Sequence, residues 1–167
     1  MENSVYKFYK DLPAVAKGIV VVGVLGVTYI FASQIIKRIR QQAEDKKNQQ
    51  SVVDAKKDMA DLSKRGINPT MTQSQADGWA AQIVKQFQGA DIPPQSGDLM
   101  RRIFKSLKND ADYLLLKTSF GIKTYPDALW GSVKNVSLEG AIQDELLNST
   151  ISDLNVILSK NGITYTV

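Results

Sequence analysis

Nineteen consecutive residues without a charge, GIVVVGVLGVTYIFASQII at 18–36, constrain this chain more than any other feature. As a helix rising 1.5 Å per residue they would span roughly 28 Å, close to the ~30 Å hydrocarbon thickness of a bilayer. Lys17 and Lys37 bracket the run, and only Thr28, Tyr29, Ser33 and Gln34 interrupt its apolar character. Pro13 suits the first turn of the same helix, where its missing N–H costs nothing. The expectation is a transmembrane helix over 13–36. A buried core helix would need a larger apolar shell than the polar remainder of the chain supplies. A cleaved leader would have a shorter apolar core and a small-x-small site, and Ile30-Phe31-Ala32 lacks the first small residue.

Residues 1–12 read as an interfacial arm, with Val5, Tyr6, Phe8, Tyr9 and Leu12 set among Lys7 and Lys10. Lys7, Lys10 and Lys17 precede the span, and Lys37, Arg38, Arg40, Lys46 and Lys47 follow it. The heavier basic flank predicts that the C-terminal side stays cytoplasmic, or interior in a particle with an internal membrane. Lys17, Lys37, Arg38 and Arg40 are the membrane-flanking residues. Ala14-xxx-Gly18 and Thr28-xxx-Ala32 are small-xxx-small pairs, the feature that raises a homo-oligomer.

Charge sharpens this picture. The chain carries a formal +4 and neither His nor Cys. Residues 1–49 hold eight Lys/Arg against four Asp/Glu, whereas residues 50–167 hold thirteen of each. The basic excess therefore belongs to the anchor and its flanks, as topology signal rather than as a nucleic-acid footprint. Without His or Cys there is no disulfide, no thiolate nucleophile, no Cys/His zinc site and no imidazole base.

Residues 37–66 read as a charged helical stalk. Val52, Ala55, Met59 and Leu62 recur at spacings of three, four and three, on one helical face. That narrow stripe would seat the stalk on the distal part or on a second copy. Arg65-Gly66 followed by Asn68-Pro69 is a stop signal.

Residues 67–167 read as a small, bundle-like domain of five or so short helices with at most a minor strand, so the fold class is all-α. Thr72 or Ser74 would cap a helix to about Gln88, with Ala76, Trp79, Ala80, Ile83 and Phe87 facing inward. Leu99, Ile103 and Leu107, widened by Met100 and Phe104, form the next stripe. Asp110 to Thr118 follows as a helix with a dense apolar run at Tyr113–Leu116. Pro126 and Gly131 frame a turn. Ser137 would cap a helix over 138–148. Thr150 and Asp153 fit a capping box before Leu154, Ile157 and Leu158, and Asn161-Gly162 ends that helix.

Catalysis would have to rest on carboxylates, hydroxyls, Lys or Tyr. Asp144 and Glu145 are adjacent and diverge by about 100° on a helix, Asp110 and Asp112 point to different faces, and Glu139 shows no partner. Solvated helix faces explain these acids. No phosphate loop, dinucleotide fingerprint, zinc-protease or calcium-loop motif is present. No catalytic residue, metal ligand or cofactor is expected. Arg101, Arg102, Lys105 and Lys108 form a basic stripe, the candidate contact for an anionic partner such as nucleic acid or lipid. Trp130, beside Gly131, is the aromatic assigned to a partner contact.

Two segments carry a resemblance. DLPAVAKGIVVVGVLGV…IIKRI is similar to the anchors of small membrane-anchored proteins of phages and mobile elements of Bacteroidetes-type bacteria. FGIKTY…LEGAIQDELLNSTISDLNVILSKNGITYTV resembles a helical segment of the same protein pool. It does so at Phe120, Gly121, Leu138, Ala141, Asp144-Glu145-Leu146, Leu154, Ile157-Leu158 and Gly162-Ile163. The resemblance implies a virion or phage membrane protein and assigns no functional residues. The expected function is non-enzymatic: a single-span tether linking an internal membrane to capsid or envelope proteins or to the genome. The alternatives are a membrane-anchored, carboxylate-based cell-wall hydrolase and a nucleic-acid-binding module.

Overall fold

A computed structural model describes residues 42–87, 97–126 and 133–167. The chain divides after Ala43, and Glu44–Val167 forms a compact unit. The 18–36 run, the arm and the flanking bases Lys17, Lys37, Arg38 and Arg40 lie outside the described residues, as does Trp130. Among the described residues no helix is long and apolar enough to cross a membrane.

Six described helices and one hairpin build the unit. Helix α1 covers 42–64. Of its stripe, Ala55 and Leu62 are buried in the core and Met59 packs against it, with Val52 half-buried. The compact unit therefore begins at Glu44 and not at Ile67, because burying that stripe makes the stalk helix a wall of the domain. The Ile67 N–H reaches back to the Leu62 carbonyl and the Gly66 N–H to that of Ser63, each at 3.0 Å, ending α1 at the stop signal.

Helix α2 (Gln73–Phe87) opens on a reciprocal cap. The Gln75 N–H donates to Thr72 Oγ1 at 3.2 Å, and the Thr72 N–H donates to Gln75 Oε1 at 2.8 Å. Ala76, Ala80, Ile83 and Phe87 are its buried face, with Trp79 half-buried at the edge. Helix α3 (Asp98–Ser106) buries Met100, Ile103 and Phe104. Leu107 follows them inward, and Leu99 sits at the margin of the stripe rather than in its centre.

Helix α4 (Asp110–Phe120) is the axis of the core. Its residues 111–116 are all buried, the signature of a helix surrounded by protein. Each fully buried Leu there contributes about 1.5–3 kcal/mol relative to exposure. The Asn109 side chain caps it by accepting from the Asp112 N–H. Strands β1 (Lys123–Pro126) and β2 (Val133–Val136) then pair antiparallel, Lys123 opposite Val136 and Pro126 opposite Val133. The described unit is thus mostly helical with one two-stranded hairpin on the flanks of the expected turn.

Ser137 caps helix α5 (Leu138–Glu145) through the Gly140 N–H. Helix α6 (Asn148–Lys160) starts ahead of the expected capping box, with Leu147 at its N-cap and no side-chain cap. Thr150 is instead buried inside the first turn, packed where α6 meets Gly97. A Cβ at Gly97 would overlap Thr150 Cγ2, so the close approach of α3 and α6 requires glycine there. Helix α6 ends as expected: Gly162 has φ +71°, the Ile163 N–H reaches the Leu158 carbonyl at 3.0 Å, and Ile163 is buried.

Candidate functional site

A polar cluster that reaches into the core joins α1, α4, α5 and the C-terminal tail. Tyr113 and Lys117 stand one turn apart on α4 and so share a face. Glu139, in the first turn of α5, is aimed at them by the Ser137 cap. Its Oε1 accepts from the Tyr113 hydroxyl at 2.7 Å and pairs with Lys117 Nζ at 2.6 Å. The pair is largely shielded, with the Lys117 and Glu139 side chains 12% and 18% exposed. Glu139 Oε2 is buried without a hydrogen-bond partner, alone in this among the side-chain atoms of the described residues.

The Tyr113 ring stacks on Tyr165, with centroids 5.3 Å apart and planes 13° from parallel, and meets Phe104 edge-on. The Tyr165 hydroxyl donates to Asp58 Oδ2 at 3.1 Å, carrying the chain of contacts to α1. Burial, then the Glu139 carboxylate, holds the Tyr113 phenol well above its ordinary range. Burial, then Asp58, pushes Tyr165 up to about 12. Both phenols therefore stay protonated near neutral pH and act as donors, not as bases.

Above this cluster a slot of about 360 Å³ opens between α1 and α4, lined by Lys47, Asp54, Asp58, Leu114, Lys117 and Tyr165 among others. Asp54 accepts from Gln50 at 2.8 Å, and Asp58 and Lys117 are engaged as described. Asp58, Tyr165 and Lys117 thus join separate elements across the slot, whereas the Gln50–Asp54 bond lies within α1. Among the described residues no group of three or more carboxylates is placed to hold a metal ion.

The first turn of α4 uses its acids in the same way. Asp112, 1% exposed, accepts from the Thr70 N–H and hydroxyl, the Met71 N–H and the Lys108 N–H. Asp110 grips Thr164 by its N–H and hydroxyl, at 2.7 and 3.0 Å. The reading of Asp110, Asp112 and Glu139 as solvated helix faces is corrected here. Each binds a segment far away in sequence, a relation that local spacing does not encode.

The basic stripe divides. Arg101 turns toward α6, pairing with Asp98 at 3.2 Å and Asp153 at 2.9 Å and donating to Thr150 Oγ1 at 3.3 Å. Arg102, Lys105 and Lys108 remain exposed, with Lys108 beside the Asp110–Asp112 turn. On α5, Asp144 is exposed and Glu145 half-buried.

The chain matches no family model, no curated protein and no solved structure.

What the cluster does chemically is to lock four elements with a chain of donors and acceptors: Asp58, Tyr165, Tyr113, Glu139 and Lys117. Sequence reasoning placed none of these in a shared site. The helix that carries Tyr113 and Lys117 was legible from spacing, and their partners across the fold were not.

Proposed function

We propose that the chain is a single-span membrane protein with a non-enzymatic, tethering role. In this reading the 18–36 segment crosses a bilayer and the Glu44–Val167 unit, on the cytoplasmic or interior side, holds another structure to it. Following the resemblance, the setting is a phage virion, with capsid proteins or the genome held to an internal membrane. The observation that carries the reading is the uncharged run at 18–36 with a basic residue at each end. The body supports it in a second way. Asp110, Asp112 and Glu139, three of the acids open to a hydrolase, are occupied by backbone N–H groups, hydroxyls and Lys117.

Alkaline carbonate extraction of membranes containing the full chain tests the anchor. Retention in the pellet, with protease protection of the body in right-side-out vesicles, is the expected result. Release into the supernatant would remove the reading. Cell-wall clearing by the full chain that is lost in Glu139→Gln or Glu145→Gln would replace it with the hydrolase.

A further inference from the structure

We infer that the end of the body where α1, α3 and α6 finish is a surface for the phosphate backbone of a nucleic acid, carried by Arg65, Lys105, Lys108 and Lys160. The inference names the partner in the tethering reading above and rests on that reading for its role. Residues 50–167 hold thirteen bases and thirteen acids, so the sequence shows no net field there. The fold sorts those charges.

Side-chain hydrogen bonds bring the three helix ends together. Asn161, closing α6, donates its amide to the Phe104 and Leu107 carbonyls at the end of α3, at 3.1 and 2.8 Å. Lys160 is thereby set beside Lys105 and Lys108. Asn109 donates to the Asn68 carbonyl at 3.1 Å, and Ser63 donates to Asn68 Oδ1 at 3.0 Å. The last turn of α1, with Arg65 behind it, thus meets Lys108 from the other side. All four bases are exposed, and none forms an ion pair among the described residues.

The acids at this end are already engaged. Asp61 pairs with Lys64 at 2.8 Å, Asp110 holds Thr164, and Asp112 is buried among its donors. A helix C-terminus carries only about half a negative charge. Three such ends and Asp110 do not offset four full positive charges. Packed helix axes stand about 8–10 Å apart, so three ends side by side span roughly 20 Å. A duplex presents one phosphate charge per ~1.7 Å of its axis, enough for every base here to meet one. The nearby aromatics leave no stacking platform, because Phe104 and Tyr113 are buried and Tyr165 is stacked on Tyr113. A lipid surface fits less well, since peripheral membrane contact combines bases with inserted apolar side chains. The exposed large apolar residues among those described are Val53, Leu147 and Val156, none in the last turn of these helices.

The full chain in mild detergent is titrated into a fluorescein-labelled duplex of mixed sequence, read by anisotropy at several salt concentrations. One variant carries Arg65→Glu, Lys105→Glu and Lys108→Glu. A control of equal charge carries Lys46→Glu, Lys47→Glu and Lys85→Glu, at exposed positions elsewhere on the body. Thermal melts first establish that each chain is folded. The expected result is binding weakened about tenfold or more in the first variant, with the slope of log affinity against log salt reduced by about three, and little change in the control. No duplex binding by the unaltered chain, or equal losses in the two variants, overturns the inference. So does displacement of the duplex by phosphatidylglycerol micelles at equal phosphate concentration, which assigns the surface to lipid. Carbonate extraction reads the anchor separately: release of the unaltered chain, with duplex binding still sensitive to the first variant, removes the anchored reading and upholds the surface.

Discussion

Asp112 and Thr70, forty-two residues apart, are joined at both ends of the carboxylate: Oδ1 accepts the Thr70 N–H at 2.6 Å and Oδ2 its hydroxyl at 2.8 Å. With Met71 and Lys108 also donating, the buried charge is satisfied by four donors and ties the α1–α2 connection to the start of α4. Substituting Asn replaces one acceptor oxygen by an amide that faces donors. Asp112→Asn is expected to cost about 2–3 kcal/mol, the scale of a charged hydrogen bond lost with its partner left buried. Asp110→Asn, at a half-exposed carboxylate, should cost about 1 kcal/mol. Urea unfolding separates them, and equal losses would show that burial is not what makes Asp112 matter.

The Lys117–Glu139 pair predicts a non-additive result. Glu139→Leu leaves a shielded ammonium and Lys117→Met leaves a shielded carboxylate, each expected to lower stability by about 3 kcal/mol. Making both changes removes both stranded charges and should cost less than either alone. A double-mutant cycle by denaturant unfolding checks this, and simple additivity would contradict it.

Gly97 and Thr150 should couple sterically. Gly97→Ala places a methyl against Thr150 Cγ2 and is expected to cost about 1–3 kcal/mol by overpacking. Thr150→Ser removes that methyl while keeping the hydroxyl that Arg101 uses. In the Thr150→Ser background the penalty of Gly97→Ala should fall by more than half, read as the difference in melting temperature.

Gly78 makes the opposite prediction. It is exposed within α2, and nothing lies within 4 Å of where its Cβ would be. Gly78→Ala should stabilise the unit by about 0.5–1 kcal/mol through helix propensity and a less disordered unfolded chain.

Alkaline pH should loosen the α1–tail contact. Tyr165 titrates near 10 when unfolded and at about 12 when folded, so its contribution is complete below pH 10. Between 10 and 12 the unfolded chain has released the proton that the folded one keeps, and stability falls as pH rises. Unfolding at a series of pH values from 8 to 11 should show this decline, less steep in Tyr165→Phe. Identical slopes would mean that other groups carry it.

What the sequence made legible followed from local grammar. The Ser137 cap, the stop at Gly66 and the left-handed end at Gly162 are decided within a few residues and stand where the sequence puts them, and Thr72 is one of the two caps it offers for α2. The buried stripe of α1 was also visible, but spacing alone left open whether it would face this domain or a second copy. The start of α6 was misplaced because Thr150 and Asp153 satisfy a capping pattern while Thr150 is needed against Gly97 and Arg101. The carboxylate clamps were illegible for a simpler reason. Asp110 to Thr164 and Tyr113 to Glu139 are contacts between segments that only the finished fold brings together.

Asp58 and Tyr165 are 107 residues apart in the chain. At ribosomal speeds of about 5–20 residues per second, α1 would be made roughly 5–20 s before the residue that clasps it. During that interval Asp58 has no Tyr165 hydroxyl to accept from. Maturation of this unit is thus timed by its last-made segment. Ribosome-bound chains ending before Thr164 should remain protease-sensitive in α1, and those extending well past Val167 should become resistant.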